Sequence, residues 1–420
     1  MKRLIFLLLI APVWPATAVH ACMWDVDTVE MERQQFPGIH ELIVGHFVRH
    51  SPEFYYWRMR NRQAQLTVFP DSLPLIDDLA VALDKLGHSE IALRYMEYAD
   101  SLQPCRYETY ANRGTFLIHA GRFAEGVAFI RTAIEINPEA HFGREVYQKL
   151  LVEYALSKMK DGQMPLPLAP VGDHRGVQYL RKAHTENFYG FVLAWHNEPH
   201  VRRGKKRLST LPKPELEKAI KGISGMMRFG NFKSPVLLEA LADLLLAKGS
   251  PRNSAKHLTV RALLRAADLA TKPELKRAYR LKAANSLFAS VNRQVTVQED
   301  GRRIQRRMPI EWEDIQRDLD REVETARRFY TRLRADEAMW IRDQCDPEAE
   351  FRAQYYARPV PRVTARPLQV PENRVRSPFA GSKEGRHYQL WITPGPKPVA
   401  YDTCLTHQID ARLSVRLAAR

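Results

Sequence analysis

Two consecutive stretches of the chain repeat one residue pattern at an interval of 34 residues, and they end at Pro104 and Pro138. Small residues recur at matched positions in both stretches, with Leu, Met or Ile between them. The matched small residues are Ala80 with Gly114, Ala92 with Gly126, and Ala99 with Ala133. Because two helices approach closely only where a side chain is small, this pattern predicts helix pairs that stack on their neighbours.

The two stretches, 73–106 and 107–140, resemble units of the tetratricopeptide repeat family. The resemblance implies an all-α solenoid in which the first helix of each unit lines a concave groove that binds a protein or peptide. By the same resemblance, the groove would present Asp77, Asp78, Val81, Asp84, Asn112, Thr115 and His119. Three of these are carboxylates, which suit a basic or polar extended segment.

The remaining sequence divides into further segments. N-terminal helices and the repeat array are predicted over 22–160, a Pro- and Gly-containing linker over 161–176, and a second helical block over 177–343. That block ends in a long charged helix from Glu311 to about Arg342. Eight prolines between Pro359 and Pro398 indicate a mostly irregular tail over 344–420, with a short strand at 387–393. Apolar residues in this strand favour docking of the tail on the array.

The first 21 residues are typical of a secretory signal peptide. Lys2 and Arg3 precede an apolar run, and small residues precede Cys22. We therefore expect an exported protein, periplasmic or extracellular. The residues before Cys22 also allow an alternative, a bacterial lipobox, in which a lipidated cysteine would anchor the protein to a membrane.

The chain contains four cysteines, Cys22, Cys105, Cys345 and Cys404. In an oxidising compartment an even number of cysteines indicates disulfides, and four cysteines allow three pairings. We favour Cys22 with Cys105 and Cys345 with Cys404, because each pairing keeps the closed loop at one end of the chain.

The net charge of +16 suggests a polyanionic partner. The densest basic run consists of Arg202, Arg203, Lys205, Lys206 and Arg207, and a second spans 302–307. Because export separates the protein from nucleic acid, no nucleic-acid partner is expected. Binding of anionic envelope polymers or lipid headgroups through these basic loops is the alternative to a protein or peptide partner.

No motif for a catalytic nucleophile, a phosphate loop or a dinucleotide site occurs. His40 and Glu41 start like the HExxH zinc motif, but Val44 stands where the second His is needed. His46 and His50 have helical i,i+4 spacing, and we interpret them as packed or surface histidines. The sequence predicts no catalytic residue, no metal and no cofactor, so binding is favoured over catalysis. An enzyme whose site leaves no linear motif is the third alternative.

Overall fold

The computed structural model describes residues 37–169, 186–248, 255–291, 294–299, 302–307 and 312–356. Within these ranges the chain is helical apart from one hairpin, and its fourteen α-helices pack mainly against sequence neighbours. The predicted signal peptide, Cys22, Cys404 and the predicted strand at 387–393 lie outside the described residues. None of the described helices is long and apolar enough to cross a membrane.

The described chain begins with α1 (Ile39–Val44) and α2 (Pro52–Leu66), joined by the 45–51 loop. The start of α2 has two local causes. The hydroxyl of Ser51 accepts a hydrogen bond from the backbone N–H of Phe54, and Pro52 occupies a first-turn position that needs no N–H donor.

The two repeat units form four helices, α3 (Leu73–Lys85), α4 (Ser89–Leu102), α5 (Tyr107–His119) and α6 (Phe123–Ile136). Every boundary of the second pair lies 34 residues after the corresponding boundary of the first. Gly87 and Gly121 end the first helix of each pair with φ values of 85° and 82°, a left-handed conformation that favours glycine. The predicted helix pairs and turns are confirmed.

The small residues lie where the helices of a pair meet. A Cβ added to Gly126 would lie 2.8 Å from the carbonyl oxygen of Gly114 and 2.6 Å from Cγ1 of Ile118. Ala92 and Ala99 are completely buried. The close helix contact predicted at these positions is present, and any larger side chain would push the helices apart.

The remaining helices continue the pattern of contacts between sequence neighbours. The predicted N-terminal array ends with α7 (Arg144–Lys158), and the second block contains α8 (Phe188–Arg202), α9 (Lys213–Met226), α10 (Pro235–Lys248), α11 (Ala255–Leu269) and α12 (Pro273–Val291). A short 3₁₀ helix (Ala140–Gly143) precedes α7, and a π-helical turn (Met227–Asn231) extends α9.

After α12 the chain forms an antiparallel hairpin of β1 (Gln294–Glu299) and β2 (Arg302–Arg307), with Gln294 opposite Arg307. The predicted all-α fold class is confirmed for the described residues, although the sequence analysis did not predict this hairpin. The second basic run, 302–307, forms β2.

The long helix α13 (Trp312–Arg342) runs back to the N-terminal helices, where it packs against α1, α2 and α11. It is followed by α14 (Pro347–Phe351) and a π-helical turn (Arg352–Tyr356). Phe351 is buried in a cluster with Val48, Leu333 and Trp340. The first part of the predicted irregular tail is therefore helical and docked, while residues 357–420 lie outside the described residues.

One hydrophobic core runs through both helical blocks, from Leu42 on α1 through Leu150 on α7 to Leu319 on α13. Leu168, inside the predicted linker, is buried in this core. The backbone N–H groups of Leu168 and Ala169 donate to the carboxylate of Glu239 on α10 at 2.9 and 3.0 Å. The described part of the predicted linker therefore packs between the two blocks instead of separating two independent cores.

Candidate functional site

The seven predicted groove residues lie between helices. Asp77, Asp78, Val81, Asp84, Asn112 and Thr115 are at most 7% exposed, and His119 is partly buried. Gln148 of α7 donates a hydrogen bond to the hydroxyl of Thr115 at 3.1 Å. The positions facing the predicted groove are thus used for packing between successive helices. These seven residues do not form the accessible groove that the resemblance implied.

The carboxylates among them have donors from the chain itself. Arg106 forms an ion pair with Asp77, yet burial raises the pKa of Asp77 to about 6. Asp84 lies 2.7 Å from Nδ1 of His119 and accepts a hydrogen bond from Ser89 at 2.7 Å. Burial by itself would raise the pKa of Asp84, but His119 and Ser89 together lower it. The structure therefore brings together two of the predicted residues, Asp84 and His119, as an internal pair.

Asp78 belongs to a network that connects α2, α3 and α14. Nε of Arg62 donates to Asp78 at 2.9 Å, and NH2 of the same side chain donates to Glu348 at 2.6 Å. Arg58, which is completely buried, donates to the same oxygen of Glu348 at 2.8 Å. The C-terminal α14 thereby supplies an acid between two N-terminal arginines.

The 45–51 loop is almost entirely buried, whereas connecting segments usually lie on the surface. Gly45 has a φ of 83°, and a Cβ at this position would overlap the ring of Phe232. Glycine is therefore required by both conformation and packing. It allows the loop to pack directly against Phe232 in the turn that precedes α10.

His50 and Ser51 attach this loop to α13. Nδ1 of His50 lies 2.6 Å from one carboxylate oxygen of Glu337, and the N–H of Ser51 donates to the other at 2.8 Å. The imidazole of His50 stacks on Phe54 with 3.6 Å between ring centroids. His50 is thus a packed and hydrogen-bonded side chain.

His46 contacts Phe329, with ring centroids 4.7 Å apart, and burial lowers its pKa. Because residues 45–51 are not helical, the i,i+4 spacing of His46 and His50 does not place them on one helical face. Across the described ranges, no group of three His, Cys, Asp or Glu side chains could hold a metal ion.

A second acidic residue of α13, Glu322, joins α1 to α11. Nε2 of His40 lies 2.8 Å from Glu322, and Arg261 donates two hydrogen bonds to its carboxylate at 3.0 and 3.1 Å. Burial by itself would raise the pKa of Glu322, but the hydrogen bonds and the charge of Arg261 lower it to about 2. All three side chains are at most 6% exposed.

Arg49 lies among aromatic rings at the edge of the loop. Its guanidinium carbon lies 3.8 Å from the ring centroid of Tyr330, 4.5 Å from that of Phe232 and 5.0 Å from that of Phe47. NH1 donates to the carbonyl oxygens of Gly45 and Phe47 at 2.8 and 3.2 Å. Burial lowers the pKa of Arg49 to about 10. The sequence analysis missed this residue, because the rings of Phe232 and Tyr330 come from distant segments.

The predicted basic run follows α8 and is exposed at Arg202, Arg203, Lys205, Lys206 and Arg207. Its use as a polyanion or headgroup site stays a prediction. Cys105 and Cys345 are exposed, and within the described residues neither forms a disulfide. Their predicted partners, Cys22 and Cys404, lie outside the described residues, so the pairing also stays a prediction.

Exposed apolar side chains lie on α4 and in the 67–72 turn between α2 and α3. The hydroxyl of Tyr98 donates to Asp71 at 2.8 Å, which places the outer face of α4 beside that turn. We call this group the apolar patch; its members, between 36% and 68% exposed, are Val68, Phe69, Ile91, Tyr98 and Leu102.

No protein-family model, curated protein or solved structure matches this chain. Its function therefore has to be inferred from its own residues and contacts.

Proposed function

We propose that the chain is an exported, non-catalytic scaffold of tetratricopeptide-repeat type that binds a protein partner. The observation that carries this proposal is the apolar patch on the first repeat pair. Two helix pairs of matched length, related by 34 residues, support the assignment of repeat type. Repeat arrays present extended surfaces made of successive helices, and they are commonly used for binding.

The partner would contact the outer face of α4 instead of the positions implied by the family resemblance. Asp77, Asp78 and Asp84 already have intramolecular partners, so a ligand would have to displace them. Breaking such buried pairs is costly, because each leaves an uncompensated charge. The apolar patch needs no such rearrangement.

The chemistry of the patch suits an apolar segment of a protein. Large contiguous apolar surfaces on soluble proteins commonly mark interaction sites. Tyr98 combines an apolar ring with a polar hydroxyl, a combination enriched at protein interfaces. Ile91, Tyr98 and Leu102 recur at spacings of seven and four residues, so they lie along one side of α4. The partner would lay a complementary apolar surface across this stripe and the adjoining turn.

Quantitative affinity capture from an envelope fraction tests the proposal. A variant with Phe69→Ser and Leu102→Ser removes two exposed apolar side chains without opening a core. Ile136→Ser is the matched control, because Ile136 is 40% exposed on α6 and lies outside the patch. We expect the wild type and the control to recover the same partner, and the double variant to lose it while keeping its unfolding temperature. Equal recovery by all three proteins would contradict the assignment of the patch.

A further inference from the structure

Three basic side chains from separate segments lie near the 45–51 loop. Arg49 belongs to this loop, Lys233 lies in the turn before α10, and Arg265 lies on α11. Arg49 and Lys233 approach the same ring, with 4.5 Å and 5.7 Å between their cationic groups and the centroid of Phe232. Burial, followed by the charges of Arg49 and Arg265, lowers the pKa of Lys233. Lys233 therefore lies close enough to both arginines for their positive charges to act on it.

Within the described part of the chain, none of the three forms an ion pair with a carboxylate. Arg49 is held by aromatic rings and two backbone carbonyl oxygens. Arg265 has Asp268 as its acidic neighbour, without a hydrogen bond between them, and its Nε is buried without a hydrogen-bond partner. Placing like charges together without a counter-charge is unfavourable. Even with Asp268 near Arg265, the arrangement carries a net positive charge and offers a buried N–H donor.

We propose that Arg49, Lys233 and Arg265 form a binding site for a phosphate or phosphate-ester oxyanion. Guanidinium groups match the oxygens of a phosphoryl group, and an ammonium adds a compact positive charge. Three positive charges suit a dianion better than a single carboxylate. Lys233 is exposed and the other two side chains are partly exposed, so an anion can reach them from solvent.

This site differs from the other positive surface of the chain. The side chains of the 202–207 run are exposed in a loop, where water screens their charge. At the Arg49 site the rings of Phe232 and Tyr330 lie against the guanidinium and exclude water from it, which strengthens its attraction for an anion. The oxyanion site does not depend on the proposed protein-binding function.

Titration calorimetry of the purified full-length chain tests this inference. Sodium phosphate is titrated at neutral pH, with chloride keeping the ionic strength constant. Lys233→Gln is the test variant because Lys233 is exposed and its loss leaves the core intact, and Lys206→Gln is the matched control from the exposed basic run. We expect saturable phosphate binding, weakened about tenfold by Lys233→Gln through loss of one charge-assisted contact and unchanged by Lys206→Gln.

Arg265→Gln gives a second, independent variant and should weaken phosphate binding in the same direction. Glycerol phosphate, titrated in parallel, identifies the source of the phosphoryl group. Tighter binding than inorganic phosphate assigns the site to a phosphate ester, and weaker binding assigns it to the free ion. The proposal would be overturned if phosphate showed no saturable binding beyond that of chloride. It would also be overturned if Lys206→Gln weakened phosphate binding as much as Lys233→Gln.

Discussion

Replacing Glu322 by Gln should strongly destabilise the junction of α1, α11 and α13. The carboxylate accepts two hydrogen bonds from Arg261 and lies 2.8 Å from Nε2 of His40. Arg261 is only 1% exposed, so the substitution leaves its charge buried without a counter-ion. Removing one member of a buried ion pair typically costs about 3–5 kcal/mol.

The lowered pKa of Glu322 gives an independent estimate of the same effect. Its pKa falls from an ordinary value of 4.5 to about 2. At about 1.4 kcal/mol per pKa unit, this difference corresponds to about 3 kcal/mol of stability. The contribution is fully present above pH 4.5 and is lost as the pH falls towards 2, because the unfolded state takes up the proton first. The difference between wild type and variant should therefore be largest at neutral pH and shrink in acid.

Urea unfolding followed by circular dichroism measures this difference at several pH values. Glu324→Gln is the matched control, since Glu324 lies on the same helix and pairs with Arg327 and Arg328 on the surface. Water screens this exposed cluster, so the control should unfold near the wild-type urea concentration. A Glu322→Gln loss below about 1 kcal/mol at neutral pH, or a difference that stays constant down to pH 3, would refute the reasoning.

Two further substitutions test the helix contacts and the interior charges by calorimetric melting. Gly126→Ala should lower the free energy of unfolding by about 1–3 kcal/mol, because the added Cβ would overlap the neighbouring helix. The control Glu125→Ala should melt like the wild type. Equal melting temperatures for both variants would contradict the close helix contact. Lys282→Met should lower the free energy of unfolding by about 3–5 kcal/mol. Nζ of Lys282 lies 2.7 Å from Glu239 and 3.1 Å from Asp243, and all three side chains are buried. A wild-type melting temperature for Lys282→Met would show that these acids do not need the lysine.

The repeat helices could be predicted because their determinants are local. A small residue at a helix crossing and a glycine in the following turn act within one helix pair, so their spacing records the geometry directly. Gly114 contacts Gly126, and Gly121 adopts a positive φ, as the pattern required. The long charged helix that ends at Arg342 was also predicted correctly, because the spacing of its charged residues is a local signal too.

The hairpin was missed although its signal is present in the sequence. Val295, Val297 and Ile304 alternate with polar residues on either side of Asp300 and Gly301. An Asp-Gly pair flanked by alternating apolar residues is among the strongest local indications of a hairpin. The arginines in this stretch were interpreted only as a basic run, so the period of two was overlooked.

The candidate sites were beyond local reasoning because their partners are distant in sequence. Asp78 pairs with Arg62, whose other partner, Glu348, comes from the opposite end of the chain. The position of Asp78 on α3 fits the repeat pattern, but the pattern carries no information about what covers that face. The same holds for Arg49, whose guanidinium contacts Tyr330 of α13.

Charge complementarity explains why the C-terminal helices α13 and α14 pack against the N-terminal segment of the chain. Three acids on the C-terminal helices, Glu322, Glu337 and Glu348, each lie against a basic or imidazole side chain of the N-terminal segment from α1 to α2. Ring nitrogens of His40 and His50 lie within hydrogen-bond distance of Glu322 and Glu337, at 2.8 and 2.6 Å. Each acid that enters this interface also removes one that could have faced a basic partner. The contact between Glu348 and Arg62 also holds Arg62 against Asp78 of α3, so this closure covers an acid of the first repeat helix, whereas Ile91 and Tyr98 on the outer face of α4 stay exposed.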